Sequence, residues 1–463
     1  MTVVDESLRE TLAGFVRVSD GDSDRDLHAA DITFHLPRRP DLVAYPTSTA
    51  EVSRTLAVAN ERRVPVTPFG AGSSLEGHVI PTRGGISLDL SELNRLVEIA
   101  PADLSAAVQA GVTRSALERA AGEHGLFFPV DPGADATLGG MAATNAAGTT
   151  TIRYGKMRAN VLALEAVLAD GTVIRTGSRA PKTSAGYDLT SLLVGSEGTL
   201  AVITEVRVRL YGIPDHVVAL RISFPTIEAA CRTAAAAVAA GSAVTRLELL
   251  DAWTLGAINA YRGSSYPECP CLLVEAAGTE ATVGADLVLV RELAEAEGAT
   301  AIAHEREPAG RARLWAARHD AAYAMAAASP GRRERATDTC VPVSELAGAV
   351  AFARAEAERL GLEAAILGHA GDGNVHVSLQ IDPHDPAELA LADELVERLV
   401  MDALARGGTC TGEHGIGQGK LAALELEHAE LVPLMRAIKR AFDPRGIMNP
   451  GKVFSDEGSS DAG

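Results

Sequence analysis

The sequence has few aromatic residues and no excess of positive charge, and both absences limit what it can bind. Aromatic residues make up only 4% of its 463 residues, so stacking platforms for nucleic-acid bases are not expected. The formal net charge is −19 at pH 7, and no basic stripe that could neutralise phosphates stands out. We therefore expect no nucleic-acid partner.

Cysteines and long apolar runs are scarce as well. The five cysteines form no CxxC pair, so the chain cannot carry an iron–sulfur relay by itself, and reduced thiols are expected. No run approaches the roughly 18 apolar residues of a membrane span. The acidic N-terminus also lacks the apolar segment of a signal peptide. These absences predict a cytoplasmic protein with no integral membrane segment.

Two glycine-rich segments, Phe69–His78 and Pro129–Gly148, stand out in what is present. Glycines permit left-handed backbone and close approach to a pyrophosphate. The first segment fails as a Rossmann fingerprint, because Leu75 replaces the third glycine and Pro81 soon follows. Alone, the first segment could be a flexible surface turn and the second a helix packed tightly against a sheet. Together they predict a large phosphate-bearing cofactor.

Four candidate metal ligands or bases lie further along the chain. His369 and His376 flank a glycine-rich turn, and Glu413 precedes His414. Alternating residues after the turn predict a strand with His376 on its polar face, so a hairpin would bring the two histidines together. Two imidazoles and a carboxylate form a three-ligand set for a divalent metal. Zinc suits these ligands best, and manganese or iron would also fit. Glycines on both sides of Glu413 and His414 predict that the pair lies on a turn.

These segments, together with Val194–Thr204 and Asp443–Lys452, occur in an order that resembles the FAD-dependent D-2-hydroxy-acid dehydrogenases of the vanillyl-alcohol-oxidase/PCMH flavoprotein superfamily. The pattern is nearest to the D-lactate dehydrogenase (cytochrome) type and to the FAD subunit of glycolate oxidase. Each motif is loose, but the ordered set, which spans about residues 35–455, is specific.

The resemblance implies an α+β fold with a two-part PCMH-type FAD-binding domain and an α+β substrate (cap) domain built on an antiparallel sheet. A C-terminal segment would return to the FAD domain. The expected divisions are a lead-in at 1–37, the FAD domain at 38–213, the substrate domain at 214–409, the returning segment at 410–454 and a disordered tail at 455–463.

The resemblance also implies that both glycine-rich segments wrap FAD. Some members of the superfamily attach FAD to a histidine in the first segment, but Gly72-Ser73-Ser74 stands at that place here, so noncovalent FAD is expected. The FAD contacts that the resemblance implies are Gly70, Ala71, Gly72, Ser73, Ser74, Gly77, Pro132, Thr137, Gly140, Met141, Asn145, Gly148, Glu197, Gly198, Ile203 and Asn449.

The same resemblance implies which residues bind the metal, which residue accepts the proton and which residues bind the substrate. A metal held by His369, His376 and Glu413 would act as a Lewis acid on the substrate oxygens, and His414 would take the hydroxyl proton as general base. The hydride would pass to flavin N5. Arg318 matches the substrate arginine of the family, whose guanidinium fork suits a carboxylate, and Asn374 would add a hydrogen bond to substrate.

The residue at one sequence position narrows the range of expected substrates. Members that act on 2-hydroxyglutarate carry a lysine for the second carboxylate where Ala336 stands here, although Arg335 next to it could serve instead. The prediction is a D-2-hydroxy monocarboxylate like D-lactate, oxidised to its 2-oxo acid. Glycolate or D-2-hydroxyglutarate dehydrogenase remain alternatives, as does the FAD subunit of a multi-subunit glycolate oxidase complex.

The electrons are expected to pass to an acceptor other than oxygen, such as a cytochrome, a quinone or an electron-transfer flavoprotein. The location would be cytoplasmic, or peripheral at the inner membrane through that acceptor. A homodimer is compatible with the sequence.

Overall fold

The computed structural model of the protein describes residues 4–455 and divides the chain into two compact units. Unit 1 consists of Met1–Ala147, Gly155–Ile213 and Glu413–Gly463, and unit 2 of Gly148–Tyr154 and Pro214–Gly412. Of the expected tail at 455–463, only Ser455 lies within the described residues. No helix in that described range is long and apolar enough to cross a membrane.

Unit 1 contains two sheets and a short two-stranded ribbon. Its strands, numbered in chain order, are β1 (Arg17–Ser19), β2 (Leu42–Tyr45), β3 (Val66–Phe69), β4 (Ile86–Asp89), β5 (Leu96–Ala100), β6 (Ser105–Gln109), β7 (Leu126–Phe127), β8 (Val161–Val167), β9 (Val173–Gly177), β10 (Val202–Arg209) and β11 (Tyr211–Gly212). The first sheet has the order β1-β2-β4-β3, with β4 parallel to both of its neighbours. The second has the antiparallel order β5-β6-β10-β8-β9, and β7 pairs with β11.

Helices, numbered over the whole chain, cover these sheets. Those of unit 1 are α1 (Glu6–Ala13), α2 (Asp22–Leu27), α3 (Thr49–Arg62), α4 (Arg114–Gly122), α5 (Leu138–Thr144), α7 (Met157–Asn160), α8 (Leu189–Leu193), α16 (Leu421–Glu427) and α17 (Val432–Phe442). Leu8 and Leu12 of α1 are buried in the core around the first sheet. Because β1 also pairs with β2, the expected lead-in at 1–37 is an integral part of this unit.

The C-terminal segment joins the first sheet of unit 1, as the resemblance implied. Val66 of β3 donates its amide to Ile447 O at 2.8 Å and accepts from Asn449 N at 2.8 Å. The Asp443 carboxylate accepts from the amides of Ile447 (3.1 Å) and Met448 (2.8 Å). These bonds fix the backbone on both sides of Asn449.

Unit 2 is built on one antiparallel sheet of eight strands. They are β12 (His216–Ser223), β13 (Arg246–Leu250), β14 (Cys271–Gly278), β15 (Ala301–Glu305), β16 (Arg333–Ala336), β17 (Thr339–Cys340), β18 (Ala364–His369) and β19 (Asn374–Ile381). The order is β15-β12-β14-β13-β18-β19-β16, and β17 also pairs with β19. The helices are α6 (Thr151–Tyr154), α9 (Ile227–Ala239), α10 (Ala252–Arg262), α11 (Glu280–Ala296), α12 (Pro308–His319), α13 (Ala321–Ala328), α14 (Leu346–Leu360) and α15 (Pro386–Ala405).

Helix starts in both units follow ordinary capping chemistry. Ser48 caps α3 by accepting from Glu51 N at 3.3 Å. Thr279 and Thr282 form a reciprocal capping box at α11. Asp385 caps α15, whose first residue is proline.

The two faces of the unit 2 sheet differ in their covering helices. On one face, Leu249 and Val377 pack in the core that includes α9, α11, α14 and α15. On the other, Leu367 packs in the core that includes Trp315 of α12, with α10 and α13. Leu367 is the register partner of His376, and opposed residues of an antiparallel pair point to the same face. The histidine therefore lies on the α12 side of the sheet.

Candidate active site

The two glycine-rich segments of unit 1 meet directly. A Cβ atom added at Gly70 would lie 2.5 Å from Thr137 Oγ1, a distance that excludes any larger residue without movement. Thr137 caps α5 by accepting from Gly140 N. Gly70, Thr137 and Gly140, all predicted FAD contacts, are thus brought together.

The backbone after Gly70 forms a row of unsatisfied donors. Within residues 4–455, the amides of Ala71, Gly72, Ser73 and Ser74 donate to no protein acceptor. Gly72 has a φ of +64°, which L-residues adopt with strain. Consecutive free amides in partly exposed, glycine-bearing backbone form an anion-binding nest. The segment therefore fits the phosphates of FAD.

Asn449 and Glu197 also converge, although they are far apart in sequence. Asn449 Nδ2 donates to His78 O (3.0 Å) and Glu197 O (2.7 Å). Both residues have positive φ, 41° and 55°, a conformation rare outside glycine that often marks functional sites. Among the described residues, the buried Asn449 Oδ1 has no hydrogen-bond partner, so it suits a donor on a ligand.

The carboxylate of Glu197, an expected FAD contact, has partners within the protein. Its two oxygens accept from the amides of Ile416 and Gly417, each at 2.8 Å, and Oε2 lies 3.3 Å from His78 Nε2. The His78 contact is an ion pair rather than an aligned hydrogen bond. Glu197 therefore holds the backbone that follows Glu413 and His414.

Burial and charge act in opposite directions on this pair. Burial alone would lower the pKa of His78, but Glu197, with Asp31 and Glu76, raises it above 6.5. Burial alone would raise the pKa of Glu197, but His78 and the two amides hold it below 4.5. Each member of the pair thus favours the charged form of the other.

A pH-dependent stability follows from these shifts. Because folding raises the pKa of His78, its stabilising contribution is fully present below 6.5 and declines as pH rises through the folded pKa. The Glu197 contribution persists over that range and is lost only in acid. We expect the melting temperature of His78→Gln to fall furthest below wild type just below pH 6.5 and to approach it as the pH rises through the folded pKa of His78. The exposed His124→Gln should show no such trend, and a constant difference for His78→Gln would contradict the ion pair.

Four other expected FAD contacts differ in burial and in their partners within the protein. The side chains of Met141 and Ile203 are buried in the core around the second sheet. Asn145 ends α5 and accepts from Arg158 N at 2.9 Å, so its side chain has a structural partner. Gly148 belongs to unit 2.

In unit 2, the β18–β19 hairpin brings His369 and His376 together as predicted. Their ring centroids are 5.5 Å apart, and both side chains are largely buried. His369 Nδ1 lies 2.7 Å from Glu248 Oε1. His376 Nδ1 lies 3.2 Å from Thr337 O and 3.8 Å from Asp338 Oδ1. Partners of this type on Nδ1 are typical of histidines that ligate a metal through Nε2.

Arg318 of α12 reaches the same carboxylate. Its Nε donates to Glu248 Oε2 at 2.8 Å, and its side chain is only 12% exposed. In the described part of the chain, its remaining guanidinium donors meet no protein acceptor. Burial alone would raise the pKa of Glu248, but His369 and Arg318 hold it below its usual range. An ionised Glu248 thus holds a guanidinium whose outer donors suit a carboxylate ligand.

Asn374 is fixed at the start of β19. Its Nδ2 donates to Asp338 Oδ1 (2.8 Å) and Thr339 O (3.0 Å). Thr411 Oγ1 donates to the other oxygen of Asp338 at 2.7 Å. Within residues 4–455 the buried Asn374 Oδ1 has no partner, so it can accept from a ligand hydroxyl.

Glu413 and His414 belong to unit 1 and lie outside helices and strands, which confirms the expected turn. His414 Nδ1 lies 3.9 Å from Glu76 Oε1, and that carboxylate also binds Lys420 Nζ at 3.0 Å. Glu76 is buried, and its position gives the imidazole an anionic neighbour. The sequence offered no signal for Glu76 beyond its place beside a glycine-rich turn.

Arg335 and Ala336 are consecutive residues of β16, so their side chains point to opposite faces of the sheet. Ala336 is the register partner of Ser378 and therefore lies on the His376 face. Arg335 points to the opposite face, where its Nη1 lies 2.5 Å from Asp393 Oδ1 on α15. Glu334 returns to the His376 face and accepts from Ser378 Oγ at 2.6 Å, and burial raises its pKa.

Comparison with known proteins gives consistent matches over most of the chain. Residues 213–453 match the family described as FAD linked oxidases, C-terminal domain, and residues 40–177 match the FAD binding domain family. The chain is 42% identical to a probable mitochondrial D-lactate dehydrogenase of Danio rerio, over 96% of this chain and 90% of that protein. It is 41% identical to the mitochondrial D-lactate dehydrogenase [cytochrome] of Arabidopsis thaliana, over 90% and 73%. It is 36% identical to glycolate oxidase subunit GlcD of Bacillus subtilis, over 96% of each.

Solved structures share the fold at low identity. p-Cresol methylhydroxylase superposes with a TM-score of 0.78 at 17% identity, covering 99% of both chains. Alkyldihydroxyacetonephosphate synthase superposes with a TM-score of 0.76 at 18% identity, covering 96% of this chain and 85% of the other. These likenesses confirm the predicted α+β architecture with a PCMH-type FAD-binding part.

Proposed function

The chain belongs to the family of FAD-linked oxidases, and from that premise we propose that it is a D-lactate-type dehydrogenase that oxidises a D-2-hydroxy monocarboxylate to its 2-oxo acid. The observation that carries the proposal is the Arg318 guanidinium, which Glu248 holds by Nε beside His369 and His376. A carboxylate receptor next to two imidazoles is what a 2-hydroxy acid requires. The names of the relatives point to the same substrate class.

Two residues of unit 2, Arg318 and Asn374, would bind the substrate. The outer guanidinium donors of Arg318 would bind the substrate carboxylate as a fork. Asn374 Oδ1, which is buried and has no partner within the described residues, would accept from the substrate hydroxyl. Because Asp338 and Thr339 fix the Asn374 amide, this acceptor is oriented before substrate arrives.

Oxidation of the alcohol removes a proton from oxygen and a hydride from carbon. Bound noncovalently, FAD would supply the hydride acceptor. His414, as a neutral imidazole, would take the hydroxyl proton. The amides that donate to Glu197 lie two and three residues after His414, so these bonds restrict where the imidazole can move.

The residues present also fit a divalent metal. We propose His369, His376 and Glu413 as its ligands, with zinc as the best match and manganese or iron as alternatives. A metal held there would act as a Lewis acid toward the substrate oxygens. Support comes from the imidazoles, whose Nδ1 atoms lie against Glu248 and Thr337 O, an arrangement that aims Nε2 at a ligand.

The β16 geometry favours a monocarboxylate. Arg335, the alternative holder of a second carboxylate, faces Asp393 on the other side of the sheet. On the His376 face stand Ala336 and the acidic Glu334. A second substrate carboxylate would thus meet an acid rather than a cation, which disfavours D-2-hydroxyglutarate.

For the electron acceptor we propose a cytochrome, in line with the named activity of the Arabidopsis relative, with a quinone or an electron-transfer flavoprotein as alternatives. The likeness to glycolate oxidase subunit GlcD supports a second candidate, in which the chain works as the FAD subunit of a complex. The five cysteines are scattered along the sequence and form no CxxC motif, so an iron–sulfur relay would have to come from a partner. Turnover of the isolated chain with a dye acceptor would favour the stand-alone enzyme.

The proposal is tested by anaerobic bleaching of the bound flavin. The purified protein should be yellow, acid precipitation should release the flavin, and D-lactate should bleach it faster than L-lactate, glycolate or D-2-hydroxyglutarate. Colourless protein with an intact fold, or bleaching by none of these acids, would overturn the proposal.

Two further versions of this experiment test the role of the metal and the choice of substrate. Dialysis against a chelator should stop bleaching while the protein remains yellow, and rapid bleaching after metal removal would exclude the metal role.

The flavin of Ala336→Lys should be bleached faster by D-2-hydroxyglutarate and more slowly by D-lactate than that of wild type, because the new cation would lie on the His376 face. An unchanged preference would show that β16 does not select the substrate.

A further inference from the structure

A single buried carboxylate in unit 2 contacts both groups that we assign to metal and substrate binding. Glu248 accepts from Arg318 Nε at 2.8 Å through one oxygen, and its other oxygen lies 2.7 Å from His369 Nδ1. Its side chain is 1% exposed, so water does not compete for either oxygen. The register of β13 and β18 places Glu248 directly opposite His369. The sheet thus sets one contact, and α12 brings the other.

We propose that Glu248 is a positioning residue that couples metal binding to substrate binding by orienting His369 and Arg318 together. The inference rests on the proposed function, because it requires a metal on His369 and a substrate carboxylate on Arg318. An acceptor-only carboxylate requires the proton of His369 to be on Nδ1, so the lone pair is on Nε2. The same carboxylate sets the plane of the Arg318 guanidinium through Nε. Its two oxygens belong to one rigid group, so a shift toward one partner displaces the other.

A merely structural role would give a different result. If Glu248 only anchored α12 to the sheet, its replacement would lower stability and leave the binding constants of the folded protein unchanged. The chain offers a matched control in Glu275 of β14, which anchors the same helix by accepting from Trp315 Nε1 at 2.6 Å. The other oxygen of Glu275 lies 3.7 Å from Arg246 Nε.

The test compares wild type, Glu248→Gln and Glu275→Gln as FAD-loaded proteins. Glutamine has the shape of Glu248, but it offers only one acceptor oxygen to two donors. Two binding constants are measured without turnover: that of Mn²⁺ for chelator-treated protein, by calorimetry, and that of oxalate at saturating Mn²⁺, from the flavin spectrum. In Glu248→Gln we expect Mn²⁺ affinity to fall about 10- to 100-fold and oxalate affinity to fall with it. Glu275→Gln should match wild type in both.

The outcomes separate this inference from the proposed function. If folded Glu248→Gln retains both affinities, or loses only one, the coupling is wrong while the function stands. If wild type itself binds neither Mn²⁺ nor oxalate, the proposed function fails first. Where Glu248→Gln does not fold, Glu248→Asp replaces it. Aspartate keeps the charge but is one methylene too short to reach both partners, so retention of both affinities would again overturn the coupling.

Discussion

Replacement of His414 by asparagine should slow reduction of the bound flavin by D-lactate on the order of 10²- to 10⁴-fold, which is the usual contribution of a general base. Asparagine keeps a polar side chain of similar size but cannot take a proton. Because Arg318 and Asn374 are untouched, substrate affinity should change little, so the loss should appear in kcat rather than KM. Anaerobic stopped-flow measurement of flavin absorbance gives the rate of flavin reduction, and steady-state turnover with a dye acceptor over a range of D-lactate concentrations gives kcat and KM.

The matched control is His428→Asn, in the same C-terminal segment. His428 is a partly exposed histidine whose Nε2 lies 3.3 Å from Glu427, and its loss should leave the rate unchanged. A wild-type rate for His414→Asn would assign the proton to another group. A large rise in KM with an unchanged kcat would make His414 a binding residue instead.

The family and the β18–β19 hairpin could be predicted because short stretches of sequence indicate each of them. Alternation along 375–381 fixes which side chains share a face, so the approach of His376 to His369 follows from the strand period and one turn. The ordered motifs identified the family correctly, which the matches of residues 40–177 and 213–453 confirm. The return of the C-terminal segment to unit 1 was implied in the same way and is seen at Val66.

Glu248 was not predictable, because its partners depend on strand register and helix placement. It lies in the apolar run Leu247-Glu248-Leu249-Leu250, where it is 121 residues from His369 and 70 from Arg318. Only the pairing of β13 with β18 sets the two residues opposite each other. The sequence gives no local signal for that register. A buried glutamate within an apolar strand was nevertheless a usable clue, since such groups are paired when buried.

Glu197 and Arg335 show two further limits. Glu197 was expected beside the cofactor, yet its carboxylate binds amides 219 and 220 positions away. Such a contact follows from tertiary packing, which sequence pattern does not encode. Arg335 and Ala336 could not be separated by sequence, because a one-residue slip in alignment exchanges the two faces of a strand. In the structure, the register of Ala336 with Ser378 places Ala336 on the His376 face.

Gly415→Ala should reduce the rate of flavin reduction on the order of 10²-fold, because it displaces the loop that carries Glu413 and His414. Gly415 has a φ of +82°, and an added Cβ would lie 2.7 Å from Glu197 Oε1 and 2.9 Å from His78 Nε2. Both atoms belong to a buried ion pair that already holds Ile416 and Gly417, so neither can move away freely. The loop must shift instead, and with it the proposed base. The rate is measured by stopped flow, and retained FAD by absorbance.

Gly446→Ala separates loop displacement from backbone strain. Gly446 lies in the same C-terminal segment with a φ of +66°, but no atom lies within 4 Å of an added Cβ. Both variants therefore share a left-handed strain of roughly 1–2 kcal/mol, and only Gly415→Ala adds the collision. We expect similar losses of stability from strain but a large loss of rate only in Gly415→Ala. Equal rates in the two variants would mean that the Glu197–His78 pair stabilises this segment without determining the position of His414.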